Sequence, residues 1–156
     1  MQDSYCGAPG EQLTILRADA VPSDCTWSLG SLHIPDWSEP SIPLQTLIVV
    51  DGALLLFRPL RLTDMRGFEH LRRVGGELSV SHDSNGELRT VAGLESLTEV
   101  GALTFRGNSG LRSLSGLSAL ETIHGTLRLE GNSNLPQAEI DALLAHVKVE
   151  GSSSTH

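Results

Sequence analysis

The sequence predicts a mainly β fold: a right-handed, parallel β-helix-like solenoid of about five coils with a short C-terminal capping helix. Three observations predict it. A Gly-x-Leu-x-apolar pattern recurs at Gly30, Gly52, Gly76, Gly101 and Gly125, and its anchor leucines Leu32, Leu54, Leu78, Leu103 and Leu127 stand 22, 24, 25 and 24 residues apart. Between anchors, apolar residues fall at every third position, as in Leu62, Met65, Phe68, Leu71 and Val74, then Leu88, Val91, Leu94, Leu97 and Val100, then Leu111, Leu114, Leu117, Leu120 and Ile123. Asn85, Asn108 and Asn132 each precede a repeat leucine by three positions.

A period of three matches neither an α-helix nor a single long strand, whose side chains repeat every 3.6 and 2 residues. It matches a coil whose corners and short strands turn one side chain inward per step. A lone coil leaves that apolar edge in water, whereas stacked coils merge the edges into one core and pair their strands in parallel. Right-handed crossovers are the strong preference for such connections. Asparagine tolerates the left-handed conformation and bonds nearby backbone, which suits a repeated corner. The corresponding place one coil earlier is Pro59, so that corner must be built differently. The segment before Asn85 is two residues longer than that before Asn108, which predicts a small protruding loop there.

Solenoid ends expose core and strand edge, and both require caps. Residues 136–147 read as the C-terminal helix, with Pro136 at its start and Ile140, Leu143, Leu144 and Val147 on one face, lying over the last coil. At the other end, Leu13-Thr14-Ile15 reads as a first edge strand inside an N-terminal cap of residues 6–25, with the coils spanning 26–135. The whole forms a single domain over residues 1–150. The polar tail, 151–156, reads as disordered.

Cys6 and Cys25 precede the repeats. A disulfide between them would tie the cap to the first coil, contribute about 2–4 kcal/mol and place the protein outside a reducing compartment. Two separate buried thiols are the alternative; zinc would want four ligands, and no CxxC or HxxxH accompanies the pair. The N-terminus has no basic, apolar leader, so either the protein is cytosolic or a leader has been removed. No apolar run approaches the roughly 20 residues of a membrane span. A formal charge of -8, from 19 acidic against 11 basic residues, excludes general nucleic-acid binding.

The unit from Cys25-Thr26-Trp27-Ser28-Leu29-Gly30-Ser31-Leu32, the run Val100 to Leu117, and Asn132-Ser133-Asn134-Leu135-Pro136 before the closing helix resemble the L domains of receptor tyrosine kinases of the epidermal-growth-factor and insulin receptor type, and more closely the leucine-rich, receptor-L-domain-like proteins of bacterial cell surfaces. The resemblance covers roughly residues 6–147. It implies a right-handed solenoid, exported after signal cleavage, in some cases lipid-anchored; it does not imply an enzymatic activity. The cysteine-rich modules that follow receptor L domains are missing, as is a closing cysteine near Leu135, so neither receptor signalling nor any ligand-contact residue carries over.

With Leu32 and Ile34 inward, strand alternation sends outward the column Ser31, Ala53, Glu77, Ala102 and Thr126 and, holding the expected site, two further columns: His33, Leu55, Ser79, Thr104 and Arg128, then Pro35, Phe57, Ser81, Arg106 and Glu130. His33, Leu55, Phe57, Ser79, Thr104, Arg106 and Arg128 are the expected partner-binding residues. The partner is an unidentified protein or glycan. Ile48, Val49, Leu55 and Phe57 share one early coil, which suggests an apolar contact surface for a partner or a second copy; the alternative is coverage by the loop over residues 35–43, with Trp37 folded on top. On the adjoining side, Arg73 and Glu99 are expected to pair across strands. Five arginines between Arg58 and Arg73 either form an anion site or pair with local carboxylates, and the second reading is preferred.

Catalysis finds little support. Ser81-His82-Asp83-Ser84 has the residue types of a hydrolase triad, but sequence neighbours do not readily converge and no Gly-x-Ser-x-Gly elbow exists. The six histidines show no ligand spacing, and no cofactor is called for. The expected function is an extracytoplasmic binding or scaffold module. A polysaccharide-active β-helix enzyme and a purely structural or adhesive surface protein are the alternatives.

Overall fold

The computed structural model describes residues 5–16, 24–83 and 86–155. Among these, twelve strands follow in order: β1 (Tyr5–Cys6), β2 (Gln12–Thr14), β3 (Trp27–Ser28), β4 (Ser31–Pro35), β5 (Val49–Val50), β6 (Leu54–Phe57), β7 (Arg73–Ser81), β8 (Glu99–Arg106), β9 (Thr122–Ile123), β10 (Leu127–Arg128), β11 (Lys148–Val149) and β12 (Ser153–Ser154). One helix, α1 (Gln137–Leu144), lies between β10 and β11. The chain is a mainly β solenoid of about six turns.

Two parallel ladders run through the stack. In the first, β1, β3, β5, the start of β7, the start of β8, β9 and β11 pair in register, so Val50, Val74, Val100 and Ile123 superpose in the interior. In the second, β2, β4, β6, the end of β7, the end of β8, β10 and β12 align Leu13, Leu32, Leu54, Leu78, Leu103 and Leu127. A third side is made of tight turns joined by backbone bonds, such as Arg89 N–H to the Thr63 carbonyl at 2.9 Å and Arg112 N–H to the Arg89 carbonyl at 2.8 Å. The every-third-residue apolar positions from Leu62 to Ile123 are all buried in one core. Burying each such side chain favours folding by about 1.5–3 kcal/mol, and every coil repeats the gain.

The glycine of the Gly-x-Leu motif marks the corner between the ladders. A Cβ on Gly125 would lie 2.8 Å from the Gly101 carbonyl oxygen, and one on Gly76 would lie 2.9 Å from the Gly52 carbonyl carbon. Successive backbones touch there, so the motif asks for glycine. β7 carries one residue more than β8 at this corner, Val74-Gly75-Gly76-Glu77 against Val100-Gly101-Ala102, and the register shifts accordingly.

The same motif corrects one expectation. Residues 151–155 are an ordered part of the sheet: Gly151 packs on the Gly125 backbone, and Ser153 and Ser154 pair with Leu127 and Arg128. Gly151-Ser152-Ser153 is a further copy of the corner with serine in place of leucine, and the tail is held by backbone bonds such as Leu129 N–H to the Ser154 carbonyl at 2.8 Å. The segments at the two ends each contribute a rung, β1 with β2 and β11 with β12, so each ladder has seven rungs over about six turns.

Helix α1 is the outer connection of the last coil rather than the end of the chain path. It is shorter than the expected 136–147, buries Ile140 and Leu143, and leaves Leu144 40 % exposed, contrary to the expected inward face. Glu139 fixes it to the neighbouring turn by accepting the Leu114 N–H at 2.9 Å. At the N-terminal end β2 supplies the expected edge strand, and Cys6 and Cys25 form the disulfide.

The asparagine corner is a ladder. Asn108 and Asn132 are buried; Asn108 Nδ2 donates to the Val80 carbonyl at 2.8 Å, Asn132 Nδ2 donates to the Phe105 carbonyl at 2.8 Å, and the Asn108 N–H donates to Asn132 Oδ1 at 3.1 Å. Asn85 and the last residue of the loop expected before it, Ser84, lie outside the described residues. In the first coils the corresponding places hold buried Trp37 and buried Pro59. Trp37 therefore does not fold over the outer surface: it fills the first corner of the core, with Nε1 donating to the Ser41 carbonyl at 3.1 Å.

Candidate functional site

Strand register assembles both predicted columns. His33, Leu55, Ser79, Thr104 and Arg128 are successive partners along the second ladder, and Pro35, Phe57, Ser81 and Arg106 form the next row. Exposure along them is uneven. Phe57 is 43 % exposed and Arg106 and Arg128 are exposed, while His33, Leu55 and Ser79 are half-buried. Thr104 is 7 % exposed, and its hydroxyl donates to Glu77 Oε1 at 2.6 Å, so it supports the surface more than it presents itself. His33 Nδ1 lies 3.2 Å from Gln12 Nε2.

The expected single apolar patch of the early coil divides in two. Ile48 and Val49 stand at the first ladder and Leu55 and Phe57 at the second, with the glycine corner between them. Only the second pair belongs to the surface that carries the columns.

At the end of that surface the outer row opens into a groove of about 660 Å³ lined by Phe57, Ser81, His82, Asp83, Arg106 and Glu130, with Gly107 and Gly131 bare of side chains. The corner beside it is unusual. Asp36, Arg58, His82 and Gly107 follow Pro35, Phe57, Ser81 and Arg106 in register, and the backbone is left-handed at Asp36 (φ 51°), Arg58 (φ 53°), Gly107 (φ 69°) and Gly131 (φ 70°). The later coils use glycine for this conformation, whereas the earlier ones force it on Asp36 and Arg58. Arg58 Nε faces Asp36 Oδ1 at 3.4 Å and Asp83 Oδ2 at 3.6 Å. His82 Nδ1 accepts the Asp83 backbone N–H at 2.9 Å, which ties the imidazole to its own loop.

The arginine run resolves into local pairs in addition to Arg58. Arg66 meets Asp64 at 2.8 Å, and Arg73 meets Asp51 at 3.2 Å. Arg73 and Glu99 are cross-strand neighbours as expected, but Arg73 turns to Asp51 because Glu99 serves another partner.

That partner is His124, whose Nε2 lies 2.7 Å from Glu99 Oε1 and whose Nδ1 lies 3.0 Å from Glu150 Oε2. Hydrogen bonding to Glu99, then to Glu150, holds its pKa above the ordinary 6.5. Hydrogen bonding from His124 holds the Glu150 carboxyl below its ordinary 4.5. This exposed link joins the last coil to the two before it. The histidine's contribution is full below pH 6.5 and is lost as pH rises through its raised folded value; the Glu150 contribution is present above pH 4.5 and is lost as pH falls through its lowered one. The thermal midpoint difference between the native chain and His124→Ala is therefore expected to be largest near pH 5–6 and to shrink at alkaline pH. Proton NMR of the imidazole C–H resonance should titrate above 6.5.

Among the described residues no group of three or more His, Cys, Asp and Glu side chains is arranged to hold a metal ion, and no helix is long and apolar enough to cross a membrane. The groove residues His82, Asp83 and Glu130 were not among the predicted site residues. Their signal was positional: each lies at or just past the end of a repeat strand, beside Phe57 and Arg106. No family model, curated protein or solved structure matches the chain, so the resemblance to receptor L domains assigns no family.

Proposed function

We propose that this chain is an extracytoplasmic binding or scaffold module that presents the outward face of its second ladder to a protein or glycan partner and carries out no catalysis. The carrying observation is the register of the two columns, which fixes Leu55, Phe57, Arg106 and Arg128 on one rigid surface and leaves Phe57 uncovered. Rigid side-chain arrays on a solenoid bind without a large ordering cost, because the frame is preorganised. The Cys6–Cys25 disulfide supports an oxidising compartment, where such bonds persist. A secreted or cell-surface location, with or without a lipid anchor, belongs to the same reading.

The polysaccharide-enzyme alternative calls for convergent, free carboxylates on the face. Glu77 instead accepts from Thr104 at 2.6 Å, and Glu130 accepts the Ser154 hydroxyl at 2.9 Å from a different column.

The test is capture of glycans and of purified surface proteins by the immobilised native domain and by Leu55→Asp combined with Phe57→Asp. Charges at these two positions are expected to abolish capture while circular dichroism stays native, because both side chains point away from the core. Undiminished capture by the folded double variant would contradict the reading.

A further inference from the structure

Resting on that reading, we propose that the groove at the ends of β6, β7 and β8 is a saccharide site for a neutral oligosaccharide, with Phe57 as its stacking platform and Arg106, Asp83 and Glu130 as partners for the sugar hydroxyls.

Four features converge on this ligand class. First, the groove's volume of about 660 Å³ falls within the ~300–1,000 Å³ usual for small-ligand sites, and it is an open trough. Gly107 and Gly131 line it without side chains, both in the left-handed conformation.

Second, Phe57 is 43 % exposed, and its strand neighbours Pro35 and Ser81 are too small to cover it. An aromatic face carries partial negative charge and attracts the slightly positive C–H groups that line one side of a pyranose ring.

Third, the polar groups lining the groove are of both signs. Arg106 stands with Asp83 and Glu130, His82 lies beside them, and Arg58 reaches Asp83 from the neighbouring corner. Among the described residues Arg106 has no carboxylate partner, so its fork of donors is open to a ligand. A polyanion would meet Asp83 and Glu130, and a polycation would meet Arg106. Hydroxyl groups both donate and accept, so a polyol satisfies carboxylates and guanidinium together.

Fourth, the corner beside the groove keeps left-handed backbone at Asp36 and Arg58, a conformation unfavourable for a residue with a side chain, although glycine serves the same corner in later coils. What the non-glycine residues supply there is the Asp36–Arg58–Asp83 ion cluster, which holds the Asp83 carboxylate at the groove. Strain of this kind concentrates at ligand sites.

The experiment titrates the native domain with neutral tetrasaccharides of glucose, mannose, galactose and N-acetylglucosamine at millimolar concentrations, using calorimetry and saturation-transfer NMR. At least one is expected to bind and to be recovered intact. Phe57→Ala and Arg106→Ala, both folded by circular dichroism, are each expected to weaken it roughly tenfold or more, while Arg112→Ala on the third side leaves affinity unchanged. Binding by none of the four overturns the saccharide assignment. Binding that survives both groove variants but is lost in Leu55→Asp overturns the groove while leaving the sheet-face reading intact. Release of shorter sugars overturns the binding-module reading itself, because Asp83 and Glu130 would then be acting on the glycosidic bond.

Discussion

Replacing Gly93 with alanine is expected to cost about 3–5 kcal/mol and to lower the thermal midpoint by roughly 10 °C or more. Two penalties add at this position. The backbone is at φ 112°, outside the range that an L-residue adopts without strain, and the new methyl group would overlap the carbonyl of Met65 and lie 2.6 Å from the Arg66 nitrogen in the coil below. Both obstacles are backbone, which cannot swing aside without separating the coils. Gly10→Ala separates the two penalties: its φ of 76° is also left-handed, but nothing lies within 4 Å of the added carbon. That variant should lose only about 1–2 kcal/mol. Chemical denaturation of both variants measures the difference, and a Gly93→Ala loss no greater than that of Gly10→Ala would mean that the coils are not in contact there.

Asn108→Ala is expected to destabilise the chain by about 2–4 kcal/mol, since a buried acceptor that loses its donor costs about 1–3 kcal/mol and the vacated volume adds to it. Asn108 is fully buried, and its Nδ2 reaches the carbonyls of Val80 at 2.8 Å and Arg106 at 3.3 Å. Alanine supplies no donor to either carbonyl. Asn132→Ala removes the next rung, including the Oδ1 that accepts the Asn108 N–H. Because the two amides belong to one ladder, the double variant should lose measurably less than the sum of the single losses. Strict additivity in equilibrium unfolding would show that the rungs act independently.

The parts of the fold that were legible in the sequence are those set by repetition. Leu32, Leu54, Leu78, Leu103 and Leu127 announce an inward column because burial selects the same residue type at every turn. Alternation then assigns Leu55, Phe57, Arg106 and Arg128 to the outside without further information. The Cys6–Cys25 pairing was legible as one of two readings, since two cysteines at the head of a repeat array can pair or remain apart.

What escaped the sequence depends on backbone contact rather than on side-chain type. Gly151-Ser152-Ser153 looks like a flexible tail by composition, yet its glycine fits the corner above Gly125 and its backbone extends the sheet, for which leucine is not required. Trp37 sits in a proline-flanked loop, where covering the outer surface was one of two readings; the first coil lacks the asparagine rung, and the indole fills that space. The groove was hidden because its residues come from four separate coils. Phe57, Asp83, Arg106 and Glu130 come to one groove only when strand register is known, and the left-handed corner beside it has no residue type in common across coils.

The central claim is that binding takes place on the outward face of the second ladder. Methyl NMR of the domain labelled at leucine, isoleucine, valine and threonine, titrated with whatever glycan or purified protein the native domain captures, tests it most directly. Shifts are expected at the Leu55 and Thr104 methyls, with those of Ile48, Val49 and Thr122 on the first ladder unmoved. Shifts at Ile48, Val49 and Thr122 with Leu55 and Thr104 silent would contradict it.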